Sequence, residues 1–181
     1  MKTIIFNKAI EDEPVSNLIK EIDAVKLEGN EELKIFFSSQ GGTWHTALTL
    51  IEYLNTCGKN IVIYPVYTVN SCAIDVIVRS DNIKKVFIDQ TLVCCIHLLN
   101  NKYNSIELLD KTSYEYFDNL VLEDFNNKQI EFLRLFNVFT DEELKEMKKG
   151  KDIYFGADTL EKLIDGYNTQ AKEKEAAVMQ A

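Results

Sequence analysis

The sequence predicts an α/β domain. Apolar runs at strand period alternate with apolar stripes at helical period through the first hundred residues. A Gly-Gly pair sits where a predicted strand hands over to a predicted helix, and the stretch from about 105 to 149, free of glycine and proline, reads as helix. Right-handed crossovers between successive strands are the default for that order.

Residues 2–7 (KTIIFN) carry the first strand, and from Pro14 to Leu27 the residues Val15, Leu18, Ile19, Ile22 and Val25 recur near the helical period. Leu33 to Phe37 reads as a strand that runs into Ser38-Ser39-Gln40-Gly41-Gly42. After the glycines, Trp44, Ala47, Leu48, Ile51 and Leu54 mark one buried helical stripe, with Gly58 at its carboxyl cap. Residues 61–67 are β-rich, and Pro65 implies an edge or an irregularity there. Ser71 opens a short helix whose residues 73–78 are too apolar all round for a surface position, and 85–88 and 91–98 read as further strands. The long helical stretch is one helix or two consecutive ones, the break in the second case falling near 137–140, where Thr140 and Glu143 have the spacing of a capping box. Residues 152–155 read as extended and lead into a helix through Leu163; the tail from Thr169 is either a projecting helix or disordered. The expectation is one domain over 1–168 and a polar tail over 169–181.

A net charge of −9 argues against nucleic acid, which requires clustered Lys and Arg. The one basic cluster, Lys145, Lys148, Lys149 and Lys151, fits a helix end meeting its own dipole. The amino terminus lacks the long apolar core of a signal peptide, and no run of about 18 apolar residues predicts a membrane span. Cys57, Cys72, Cys94 and Cys95 form no CxxC pattern and read as reduced, mostly buried thiols in a cytoplasmic protein, with no metal or cofactor expected.

Three residues carry the chemistry: Ser71, His97 and Asp152, each at the end of an apolar segment. A serine at a helix start is most often an N-cap, but the same place suits a nucleophile, because the helix dipole stabilises developing negative charge. His97 ends the most apolar strand and is either a hydrogen-bonded core residue or a base; His45, on a polar helix face, is expected to be solvated. Asp152 is expected to be half-buried beside Ile153-Tyr154-Phe155, where it could fix the imidazole tautomer. Gly41-Gly42 serves either a tight turn or close backbone approach to an oxyanion, with the Cys72 amide as second donor. Cys72 itself is a rival nucleophile, disfavoured by its apolar surroundings. Neither GxxxxGK[ST] nor GxGxxG spacing is present, which excludes a phosphate loop of those kinds.

In these positions the chain resembles the Clp-type serine peptidases of the ClpP/crotonase fold. Ser39-Gln40-Gly41-Gly42 is similar to that family's Ser-Pro-Gly-Gly oxyanion loop, and Asn70-Ser71-Cys72-Ala73 to its Ala-Ser-Met-Ala nucleophile segment. Ile96-His97 resembles the strand end that carries the base, and 152–158 the aspartate segment before the last helix. The intervals from Gly42 to Ser71 and from Ser71 to His97, 29 and 26 residues, are close to the family's, and the resemblance spans about Leu33 to Tyr167. It implies a repeated β-β-α spiral, a helical handle at about 105–149, and a homo-oligomer, a hexameric or heptameric ring able to stack. Departures mark a divergent member. Tyr67 stands where the family has glycine, Leu98-Leu99 replace Gln-Pro, Lys151 replaces arginine, and the family's axial gate segment is largely missing. These departures count against docking to an ATP-dependent unfoldase.

The expected function is a serine endopeptidase acting on peptides or unfolded proteins. Ser71 is the nucleophile, His97 the base, Asp152 its orienting acid, and Gly41, Gly42 and Cys72 the oxyanion and substrate-binding backbone. The alternatives are a catalytically silent scaffold subunit of the same fold and a crotonase-type acyl-thioester enzyme.

Overall fold

A computed structural model of the chain describes residues 2–89, 91–98, 123–124, 126–131 and 133–179, with side chains described as far as residue 170. They fall into two compact units, residues 1–96 with 154–181, and residues 97–153.

The first unit is built on a sheet in the order β1-β2-β3-β5-β6: β1 (Lys2–Asn7), β2 (Leu33–Ser39), β3 (Ile61–Asn70), β5 (Val93–Ile96) and β6 (Ile153–Phe155), of which Tyr154 and Phe155 belong to this unit. A two-residue β4 (Lys84–Lys85) also pairs with β3. The pairings β1–β2, β2–β3, β3–β4 and β3–β5 are all parallel, which the helical crossovers require. Register puts Ile4, Ile35 and Ile63 in one row across three strands and Ile5, Phe36 and Tyr64 in the next. The first row is buried, with Ile63 only 1% exposed, while Ile5 is 76% exposed on the opposite face. Each face has its own ring pair, Phe6 on Phe37 at 5.3 Å and Phe36 on Tyr64 at 5.1 Å between centroids.

Helix α1 (Asp12–Ala24) buries Val15, Leu18 and Ile22, and α2 (Trp44–Thr56) buries Ala47, Leu50, Ile51 and Leu54. Pro14 lies in the first turn of α1, where its missing N–H is not needed, so the helix begins two residues before the proline. The short α3 (Cys72–Arg79) buries six of its eight residues. It packs against α2, β3 and α5 (Ala157–Met179), which presents Leu160, Leu163 and Ile164. No described helix is long and apolar enough to cross a membrane.

Pro65 sits in the middle of a central strand, against the usual preference. On one edge of β3, β4 pairs as far as Ile63 and β5 begins only at Thr68, so Pro65 falls in the gap between the two. On the other edge the register with β2 shifts: Phe37 pairs with Pro65, but Ser39 pairs with Val69. The bulge leaves Tyr67 at φ +58, its N–H donating to Asp89 Oδ2 at 2.8 Å. The strand expected over 85–88 is correspondingly cut short. One further ladder bond, from the Val86 N–H to Ile63 O, is made at 2.9 Å. Asp89 then turns the chain, accepting from the N–H and Oγ1 of Thr91.

In the second unit, residues 123, 124, 126–131 and 133–135 are helical, and Asn137 turns at φ +51. Helix α4 (Asp141–Lys148) starts on a reciprocal capping box between Thr140 and Glu143. Ile130, Leu133, Phe139, Leu144 and Met147 are its buried side chains. Of the expected handle, residues 105–122 lie outside the described residues.

The two sheet faces predict opposite responses to the same substitution. Ile63→Ala is expected to cost about 2–5 kcal/mol in urea denaturation, whereas Ile5→Ala should stay within about 0.5 kcal/mol.

Candidate active site

Ser71 occupies the turn from β3 into α3 with φ +53 and ψ −134, a conformation L-residues avoid. Holding it costs on the order of 1–3 kcal/mol. Two neighbours fix it: its N–H donates to Cys95 O at 2.8 Å, and its carbonyl accepts from the Ile74 N–H at 3.0 Å. Although Ser71 is the N-cap residue of α3, its hydroxyl makes no capping bond, so the commonest reason for a serine here does not apply. A strained serine between strand and helix, with its hydroxyl not used as a cap, has the form of a nucleophile turn.

The loop after β2 meets this turn. A Cβ on Gly41 would lie 2.6 Å from Ser71 Cβ and 2.7 Å from Asn70 O, and one on Gly42 would collide with the Ile10 carbonyl. Both glycines have positive φ, +89 and +153. They therefore serve close approach as well as turning. The loop is pinned from behind by the segment leading into α1: the Ile10 N–H donates to Gly41 O at 2.8 Å, and the Thr43 N–H donates to Ile10 O at 2.8 Å. From the front, Asn70 Nδ2 donates to Gln40 Oε1 at 2.6 Å. Gln40 is thus tied to the residue preceding the serine.

Cys72 is buried, and burial with the nearby Asp75 charge pushes its thiol up to about 11. Hydrogen bonds from the backbone amides of Gly42 and of Cys72 itself pull it partly back. The thiol is therefore protonated at neutral pH and a poor nucleophile.

One turn further along α3, burial raises the Asp75 carboxyl to about 6, against the pull of Arg79. Arg79 Nε lies 3.2 Å from Asp75 Oδ1, and the guanidinium sits over the Trp44 ring, 5.4 Å from its centroid. These two charges were missed by residue-type reasoning. Their signal was present as an i, i+4 pair in a helix otherwise made of buried apolar groups.

His97 and Asp152 belong to the second unit. His97 is half-buried, and its Nδ1 lies 2.9 Å from Leu98 O. A carbonyl only accepts, so Nδ1 carries the proton and Nε2 the lone pair, the tautomer a general base needs. The bond expected of Asp152 is made here by the Leu98 backbone. Asp152 is exposed rather than half-buried, because it precedes β6 in the open turn where neighbouring Lys151 pairs with Glu146. His45 is exposed, as its polar helix face requires.

No protein-family model matches the chain, and no curated protein matches it. Among solved structures it is similar to a mutant of ClpP1 from Listeria monocytogenes, with a TM-score of 0.58 and 15% identity over 92% of this chain and 94% of that one. The likeness shows a ClpP-like α/β fold.

Two outcomes follow from the geometry. Gly41→Ala places a methyl group on Ser71 in a left-handed backbone and is expected to cost at least about 1–3 kcal/mol in denaturation. Burial lets Asp75 retain its proton in the folded state to higher pH than the ordinary carboxylate value of 3.8. The stability of the wild type relative to Asp75→Asn should therefore fall as pH rises from about 4 to about 6, by up to about 1.4 kcal/mol per pH unit, then level off. Paired melts across that range measure it.

Proposed function

We propose that the chain is a serine endopeptidase of the Clp type, cleaving peptides or unfolded proteins through an acyl-enzyme. The observation that carries the reading is the Gly41 backbone packed on a strained Ser71 whose hydroxyl is not used as a helix cap. Ser71 Oγ attacks the scissile carbonyl while His97 Nε2 takes its proton. The amides of Gly42 and Cys72 hold the tetrahedral oxyanion. The His97 proton then passes to the leaving amine, and water, activated by the same nitrogen, frees the acyl group. Two peptide bonds separate His97 from Cys95, the acceptor of the Ser71 N–H, so covalent geometry keeps its Cα within about 7 Å of Cys95 Cα. Asp152 is assigned to stabilising the imidazolium. An extended peptide would add as a strand near Gly41-Gly42. A homo-oligomeric ring in the cytoplasm completes the reading.

Tyr67 favours a second reading, a silent scaffold subunit of the same fold. It stands where the family's glycine would, holds φ +58, and is 72% exposed.

A fluorophosphonate probe decides between them. Labelling should appear at Ser71, vanish in Ser71→Ala, and slow by roughly 10²–10⁴-fold in His97→Ala. A folded protein that takes no label is the scaffold.

A further inference from the structure

The Asp75–Arg79 pair closes a ring of contacts around the Ser71 turn. Starting from the glycine loop, where Gly41 is packed against Ser71, the chain passes through the first turn of α3 to Asp75. It continues across 3.2 Å to Arg79 and onto the face of Trp44 at 5.4 Å. Trp44 is the first residue of α2, two positions after Gly42, so the ring returns to its start. The carboxylate is largely buried, its side chain 15% exposed, and the guanidinium is 30% exposed. Arg79 Nε makes no hydrogen bond, so the carboxylate draws the guanidinium by charge, while the indole of Trp44 lies beneath it.

We propose that Asp75 is a positioning residue: through Arg79 and Trp44 it locks the Gly41-Gly42 loop against the Ser71 turn, and removing or protonating its carboxylate loosens that lock. The lock concerns the same site as the peptidase reading and rests on that reading for its catalytic consequence. Its existence does not depend on catalysis.

Cys72 and Arg79 on α3 and Tyr167 on α5 interact with Asp75, and Tyr167 also feels Asp81; Arg79 in turn lies over Trp44 of α2, next in sequence to the exposed His45. Arg79 opposes the effect of burial, and Tyr167 feels both members of the pair. Ionised Asp75 orients the guanidinium. Once protonated, it no longer competes with water for Arg79, and the ring contact with Trp44 is released.

Trp44 is the single tryptophan of the chain and so reports on the lock directly. Its fluorescence is followed from pH 4.5 to 8 in the full-length His45→Gln protein, which removes the neighbouring imidazole. A transition near pH 6 is expected, absent when Asp75→Asn is added. In parallel, the rate of Ser71 phosphonylation by the fluorophosphonate is measured at pH 7.5. Asp75→Asn should slow it roughly ten- to a hundredfold without loss of fold, Asp75→Glu should recover part of the rate, and Arg79→Lys, which keeps charge but loses the planar stack, should also slow it. Labelling rates unchanged in both Asp75→Asn and Arg79→Lys overturn the proposal. If the wild type takes no label, the hydrolase reading fails by itself. The lock is then judged on fluorescence alone, and a Trp44 signal without an Asp75-dependent transition overturns it.

Discussion

A methyl group added at Gly41 would overlap Ser71, and one at Gly42 would overlap the Ile10 carbonyl. Three chain segments thus meet within the thickness of a glycine backbone: the link from β1 to α1, the loop from β2 to α2, and the turn from β3 to α3. All three lie beyond the carboxyl ends of adjacent parallel strands, where open α/β sheets place their ligands. Parallel pairing brings those ends together, and the absence of side chains at 41 and 42 lets them touch. The Ser71 conformation is maintained only because its amide is anchored on Cys95 and its flank is filled by Gly41.

β3 transmits this constraint through the sheet. It has two successive neighbours on a single edge, β4 over its first half and β5 over its second. Between them come Pro65, the bulge, and Tyr67 in the left-handed region. The bulge shifts the last residues of β3 by two positions relative to β2, and that shift determines where Ser71 arrives opposite the glycine loop. Asp89 accepts the Tyr67 amide and turns the chain toward β5, whose Cys95 carbonyl then receives the Ser71 amide. The same irregular strand both strains the serine and supplies the bond that holds it.

Much of this was readable from residue patterns. The strand, Gly-Gly, helix order over 33–56, the buried helix after Ser71, and the Thr140–Glu143 capping box depend on local periodicity and spacing, which sequence records directly. What escaped depends on tertiary partners. The length of β4 was overestimated because an apolar run does not reveal that its partner strand bulges. The positive φ of Ser71 and Tyr67 follows from neighbours distant in sequence, since neither residue type favours it. For His97, sequence suggested a carboxylate on Nδ1, yet an adjacent carbonyl satisfies the same donor and leaves no trace in residue identity. The Gln40–Asn70 bond was hidden for a related reason. The two residues are thirty apart in sequence, and only the fold brings the loop and the serine strand close enough for the amide of one to donate to the other.

A charged pair in a helix as apolar as α3 calls for a physical reason. Well-packed apolar side chains of similar volume would usually match or exceed its contribution to stability. The raised Asp75 carboxyl shows that burial here outweighs the attraction of Arg79. What the pair supplies is direction. A leucine in place of Arg79 would fill the same space against Trp44 but could rotate without loss, whereas a guanidinium lying over the indole is drawn toward the Asp75 carboxylate by its charge. Near a serine held in a disfavoured conformation, orientation matters more than a small gain in burial. A strained turn relaxes along whichever direction its neighbours leave free.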